Sequence, residues 1–170
     1  PFVDMSFYEY AYPGQPFVSD KWREWVESAA ACAQNLGLHF YQSHAYTYDF
    51  LSLDLTEEEK SAKETLVDRS LECCRILGAK VLVTHPSTYR SKGDREKISY
   101  EKNRIYFERY VEKADKFGMR LAVENMIRYP EEDYKFFCEP DEIKAFIQDL
   151  NDDRVGICWD FEHGALLHQD

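Results

Sequence analysis

Four short apolar runs end on a polar residue at nearly equal intervals, and this pattern leaves the chain very few folds. The runs are Leu38-His-Phe-Tyr-Gln-Ser-His44, Val81-Leu-Val-Thr-His85, Arg120-Leu-Ala-Val-Glu-Asn-Met126 and Val155-Gly-Ile-Cys-Trp-Asp160. Their polar ends, His44, His85, Glu124 and Asp160, are spaced by 41, 39 and 36 residues. Gly37, Gly78 and Gly118 precede the first three ends at offsets of 7, 7 and 6 residues. Asp4, in Phe2-Val-Asp-Met-Ser6, lies 40 residues before His44. The pattern is an internal repeat of about 40 residues. A buried strand has use for Leu121, Ala122 and Val123 but not for Glu124, whose desolvation without a partner costs several kcal/mol. Glu124 is therefore expected at a strand end, facing groups that balance its charge.

Helical periodicity fills the intervals. Lys21 to Leu36 carries Trp22, Trp25, Val26, Ala29, Ala33 and Leu36 at three- and four-residue spacing, with Asp20 as the expected N-cap and Gly37 as the stop. Thr56-Glu-Glu-Glu59 reads as a capping box opening a second helix that stops at Gly78. A third helix is predicted over Tyr100 to Phe117. A fourth is predicted over Asp141 to Leu150, with Pro140 in its first turn. Strand and helix alternating in this way imply βαβ units and a parallel sheet. In such sheets ligands sit at the carboxyl ends of the strands, where the four polar residues fall. Alternation along each strand puts Gln42 with His44, Val83 with His85, Ala122 with Glu124 and Cys158 with Asp160 on shared faces.

The 170 residues suit one domain, 1–170. No apolar run is long enough to span a membrane, and the N-terminus lacks the pattern of a signal peptide. Five cysteines (Cys32, Cys73, Cys74, Cys138 and Cys158) form no CxxC pair, so reduced thiols and a cytoplasmic location are expected. A net charge of −11 argues against a nucleic-acid surface. Two long connections leave strand ends: Ala45 to Leu55, with Tyr46, Tyr48 and Phe50, and Asn125 to Glu139, with Tyr134, Phe136 and Phe137. Their aromatics either face a ligand or cap the core. The segment Pro86 to Ser99 is a polar, basic loop (Arg90, Lys92, Arg95, Lys97) that could meet a phosphate. Two imidazoles and two carboxylates converging at one mouth make a site for Mn, Co, Mg or Zn, and Asp160-Phe-Glu-His163 adds a third histidine.

The motifs Val83-Thr-His85-Pro86, Val123-Glu124-Asn125 and Val155-Gly-Ile-Cys-Trp-Asp160-Phe-Glu-His163 resemble the xylose isomerase-like TIM-barrel superfamily. That group includes sugar-phosphate isomerases and epimerases, hydroxypyruvate isomerase, inosose dehydratase and zinc apurinic endonucleases. The resemblance implies a (β/α) barrel in which Glu124 and Asp160 bind a divalent metal and Glu124 also moves a proton. It implies that His44, His85, Asn125 and His163 contact substrate, or that the three histidines bind further zinc ions if the site is of the endonuclease kind. A whole barrel takes roughly 250 residues, whereas at most five strands can be counted here. The expectation is a partial barrel of about five of eight βα units, part of a longer protein; were the chain to end here, its strand edges would be open and leave room for homo-oligomers. The activity implied is a metal-dependent isomerase or epimerase acting on a small sugar through an enediolate, with a dehydratase as a variant of the same chemistry. The alternatives are a zinc endonuclease acting at abasic sites and a sugar-binding barrel without turnover.

Overall fold

In the computed structural model, which describes residues 1–167, every strand is parallel and pairs with its neighbour in sequence. Strand β1 (Phe2–Val3) pairs with β2 (His39–Phe40). The chain then breaks at Tyr41 and resumes as β3 (Gln42–His44), which pairs with β4 (Val81–Thr84). β4 pairs with β5 (Arg120–Glu124), and β5 with β6 (Val155–Cys158). Past β1 the chain keeps alongside β3, because His44 N–H donates to the Met5 carbonyl at 3.0 Å and Ser6 bridges to His44. Five parallel positions of a barrel wall result. The run Leu38 to His44, expected as one strand, is split because the Tyr41 carbonyl accepts from both Lys80 and Val81, at 2.9 and 3.2 Å.

Four helices cover one side of this wall: α1 (Trp22–Asn35), α2 (Glu57–Leu77), α3 (Arg95–Asp115) and α4 (Pro140–Leu150); a short α5 (Phe161–Leu167) follows β6. The capping box of α2 is present as predicted, with Thr56 Oγ1 accepting from Glu59 N and Glu59 Oε2 from Thr56 N at 2.8 Å. Two helix starts differ from expectation. Asp20 does not cap α1; a short 3-10 turn (Pro16–Val18) brings Ser19 into place, and its hydroxyl accepts from Lys21 N at 3.1 Å. Helix α3 begins at Arg95 rather than Tyr100, because the Asp94 carboxylate accepts from Lys97 N at 3.1 Å. Arg95 and Lys97, read as loop residues, therefore lie in its first turn. Helix α5 was not anticipated.

Register sorts the strand side chains into two faces. Leu82, Leu121 and Val155 align and face the helices, where they join Leu71, Cys74, Phe107, Val111, Ile143 and Phe146 in the core. His44, Val83, Ala122 and Gly156 align one residue on and face the other way. Ala122 and Gly156 are small, which leaves room on that inner face beside Glu124. At the wall's edges, Phe2 on β1 and Ile157 on β6 are exposed. No helix among the described residues is long and apolar enough to cross a membrane.

Candidate metal and acid–base site

Glu124 ends β5 at 4% exposure, on the floor of a cleft of about 470 Å³ formed by the loops beyond the strand ends. The fold places His44 and His85 on either hand. Glu124 Oε2 lies 2.7 Å from His85 Nε2 and 3.3 Å from His44 Nε2. Its other oxygen, Oε1, is 3.9 Å from His163 Nδ1. Asp160 and His163 approach from the far side, across β6.

Each imidazole is held from behind. His44 Nδ1 is 2.8 Å from Asp4 Oδ2, and a carboxylate oxygen only accepts, so this nitrogen carries hydrogen. His163 Nδ1 donates to the Asn125 carbonyl at 2.8 Å. His85 Nδ1 faces the Thr47 hydroxyl at 3.4 Å. With Nδ1 occupied, the neutral His44 and His163 rings turn the Nε2 lone pair to a carboxylate: His44 to Glu124, and His163 to Asp160 Oδ2 at 4.0 Å. Lone pair against carboxylate is unfavourable unless a cation lies between. An outer partner that fixes the tautomer and aims the free nitrogen is the usual support for a metal-binding histidine.

A proton can be that cation. The hydrogen bond to Asp4, then that to Glu124, pushes the His44 imidazolium up to about 9 against the opposing effect of burial. Burial alone would raise the Glu124 carboxyl. Hydrogen bonds and positive charge from His44 and His85 outweigh it and hold Glu124 well below the usual carboxylate range. Glu124 is therefore a buried carboxylate. A divalent ion fits the same position. The ligand atoms of His44, His85 and Glu124 lie within 4.8 Å of one another, and so do those of Glu124, Asp160 and His163. Nitrogen and carboxylate donors of this kind suit Zn, Mn or Co. Cys158 adds no thiolate, since burial and the adjacent Glu124 and Asp160 push its thiol up to about 11.

Asn125 takes a part that the sequence reading did not give it. It was expected to touch substrate, but it is 1% exposed and its carboxamide is turned to the main chain of Asp160. Nδ2 donates to the Asp160 carbonyl at 3.0 Å and Oδ1 accepts from Asp160 N at 2.5 Å, so Asn125 straps β5 to the chain beyond β6. Asp160 itself caps α5, with Oδ1 accepting from Glu162 N at 2.7 Å and His163 N at 3.0 Å. Its Oδ2 takes no part in that cap. For the aromatic loops, one of the two open readings holds for most of the rings. Phe136 and Phe137 are fully buried against Phe146, and Phe50 stacks on Tyr106 at 3.9 Å, so these rings cap the core rather than the cleft. Tyr48 does line the cleft, as does Tyr8 from the turn after β1. Asp4, in phase with the repeat, was visible in the sequence as a strand end but not as the partner of His44. Thr47 and Lys135 carried no signal.

The family model for the xylose isomerase-like TIM barrel matches residues 5–170. This chain belongs to the xylose isomerase-like TIM barrel family. Solved structures share the fold at low sequence identity. A D-tagatose 3-epimerase-like protein superposes with a TM-score of 0.73 at 16% identity, covering 95% of this chain and 57% of its own. A D-psicose 3-epimerase solved in the presence of D-fructose gives 0.71 at 15%, covering 99% and 56%. IolI with a bound zinc atom gives 0.72 at 17%, covering 99% and 56%. The chain thus spans little more than half the length of these structures. No curated protein matches it. Within the xylose isomerase-like barrel, the inner face of the wall and the loops above it are where Glu124, the three histidines and Asp160 gather.

Proposed function

We propose that this chain carries the carboxylate–imidazole site of a divalent-metal-dependent isomerase or epimerase acting on a small polyhydroxy carbonyl compound. The observation that carries the reading is Glu124: a carboxylate kept ionised at 4% exposure, aimed into a cleft and faced by three imidazoles. A divalent ion, when bound by Glu124 and Asp160, would polarise adjacent oxygens of the substrate. Glu124 is placed to take a proton from the carbon next to a carbonyl, giving an enediolate; its return to the adjacent carbon isomerises the sugar, whereas epimerisation needs a second acid–base group that delivers the proton on the opposite face. His163 and His85 can donate to or accept from substrate hydroxyls on either side of that carboxylate. The solved neighbours, a D-tagatose 3-epimerase-like protein and a D-psicose 3-epimerase, support a sugar as the substrate class. IolI with its zinc atom supports the metal.

The test is exchange of substrate hydrogen with solvent. The protein, supplied with Mn or Co, is incubated with a panel of ketoses in D2O and followed by proton NMR. Deuterium should enter next to the carbonyl of at least one sugar. Glu124→Gln should slow that entry by about 10²- to 10⁴-fold, the usual contribution of general acid–base catalysis. Equal rates for the variant, or no exchange with any metal, would sink the proposal. A zinc phosphodiesterase is the second reading, favoured by the clustering of His44 and His85 on Glu124. The net charge of −11 opposes it. Elemental analysis separates the two, with about one ion per chain for the epimerase and several zinc ions for the phosphodiesterase.

A further inference from the structure

The cleft is not electrically uniform. On its loop side, two connections meet: the one after β4 and the one after β5. Phe136 N donates to Thr88 Oγ1 at 3.1 Å, which sets Lys135 beside the first loop. Arg90, on that loop, donates to Glu132 Oε1 at 2.8 Å. Arg90 and Lys135 both line the cleft. Glu132 is a shared neighbour: burial opposes its ionisation, but the Arg90 hydrogen bond, the Tyr129 N–H and the charge of Lys135 hold its carboxyl low. Two cations therefore stand against one carboxylate. Lys135 is half-buried and makes no ion pair among the described residues, in a chain with 32 acidic residues to 21 basic ones. The Glu132 carboxylate is shared with Arg90, so the charge of Lys135 is only partly balanced, and an anionic ligand would supply the remainder. Thr88 also lines the cleft, and its hydroxyl, which already accepts from Phe136, still has a hydrogen to donate.

We propose that Arg90 and Lys135 form an anion subsite, and that the substrate processed at Glu124 carries a phosphate or carboxylate on the part of the molecule that reaches these loops. Arg90 offers a planar fork and Lys135 a compact charge, a pairing suited to a tetrahedral or planar oxyanion. The inference deepens the sugar reading above and rests on it for the identity of the substrate's other end.

Isothermal titration in the presence of Mn would use four probes: a ketose, the same ketose with a terminal phosphate, the same with a terminal carboxylate, and inorganic phosphate. The phosphorylated or carboxylated ketose should bind roughly ten- to a hundredfold more tightly than the neutral one, the range of a charge-assisted contact. The larger of the two gains identifies the anion. Lys135→Met should bring the anionic ketose to within about twofold of the neutral one, leaving the affinity for the neutral sugar unchanged, whereas Lys135→Arg should retain the preference. Arg90→Gln should reduce it in part. Circular dichroism of each variant verifies folding. Equal affinity for neutral and anionic ketoses, or a preference that survives Lys135→Met, would overturn the subsite and leave the sugar reading standing. Binding of inorganic phosphate lost in Lys135→Met, with no ketose bound, would uphold the subsite and remove the sugar. No binding of any probe would overturn both.

Discussion

Replacing Asp4 by Asn tests whether the fold stores an imidazolium at His44 when no metal is present. His44 rises from 6.5 to about 9, with the Asp4 hydrogen bond as the leading cause and the Glu124 hydrogen bond second. At about 1.4 kcal/mol per unit, the whole rise corresponds to roughly 3 kcal/mol of interaction with the charged ring. Asn keeps an oxygen that can accept from Nδ1 but loses the negative charge, so Asp4→Asn should forfeit about half, on the order of 1.5 kcal/mol. A group whose folded value is raised stabilises the fold fully below its unfolded value and loses that contribution as pH climbs through the folded one. In chelator-treated protein, the wild type should exceed the variant by that amount at pH 6, and the gap should close by pH 10. The depressed carboxyl of Glu124 describes the same contact from the other partner, and the two are counted once. Urea denaturation at several pH values measures the gap, and proton NMR of the His44 ring gives its midpoint directly. A gap that is constant with pH, or a wild-type midpoint below 7, would refute the reasoning.

Asn103, fully buried on α3, accepts from Ser87 N at 2.9 Å and donates to the Ser87 and Ser99 carbonyls at 2.7 Å each, so Asn103→Ala should lower stability in urea by about 2–3 kcal/mol. Asn103→Asp should cost more, since one carboxylate oxygen would face those two carbonyls. Gly78 ends α2 at φ +81 with nothing within 4 Å of an added Cβ; Gly78→Ala should cost only the backbone penalty, about 1 kcal/mol, read as a shift in thermal midpoint. Asn125→Ala should weaken metal binding about 10- to 100-fold by calorimetric titration, although Asn125 is not among the proposed ligands, because it holds Asp160 in place.

The repeat made the strand ends legible because two requirements coincide there. An apolar run has to stop where it meets solvent, and the groups that do chemistry have to stand at that boundary. Hence His44, His85, Glu124 and Asp160 could be placed from spacing, and the structure brings them to one cleft. Details fixed by single hydrogen bonds were harder to read. The break at Tyr41 depends on which carbonyl the next strand's N–H groups reach, and no residue type announces that. Phe136 and Phe137 are as apolar as a sugar-stacking ring would be, so composition could not assign them to core or cleft; the carboxylate of Glu142, accepting from Phe137 N at 2.6 Å, draws that segment inward. The start of α5 was legible in principle. Asp160 followed by Phe-Glu-His is an N-cap pattern as well as a ligand motif, and here one carboxylate oxygen serves the cap.

That double use of Asp160 bears on how the site keeps its shape. One carboxylate oxygen is spent on the N–H groups of Glu162 and His163, and that cap sets the first turn that carries the His163 ring. The ring is fixed in turn by the Asn125 carbonyl, while the Asn125 side chain brackets the main chain of Asp160. Asn125, Asp160 and His163 thus hold one another through backbone groups that a substrate cannot displace, which leaves Asp160 Oδ2 and His163 Nε2 as the atoms available to a ligand. On the opposite flank Asp4 does for His44 what the Asn125 carbonyl does for His163. Glu124, between the two flanks, needs no cap or strap of its own: its position follows from the pairing of β5 with β4 and β6. Rigid supports on both sides of a buried carboxylate are what the proposed proton transfer at carbon would demand, because small errors in the placement of a base are costly in rate.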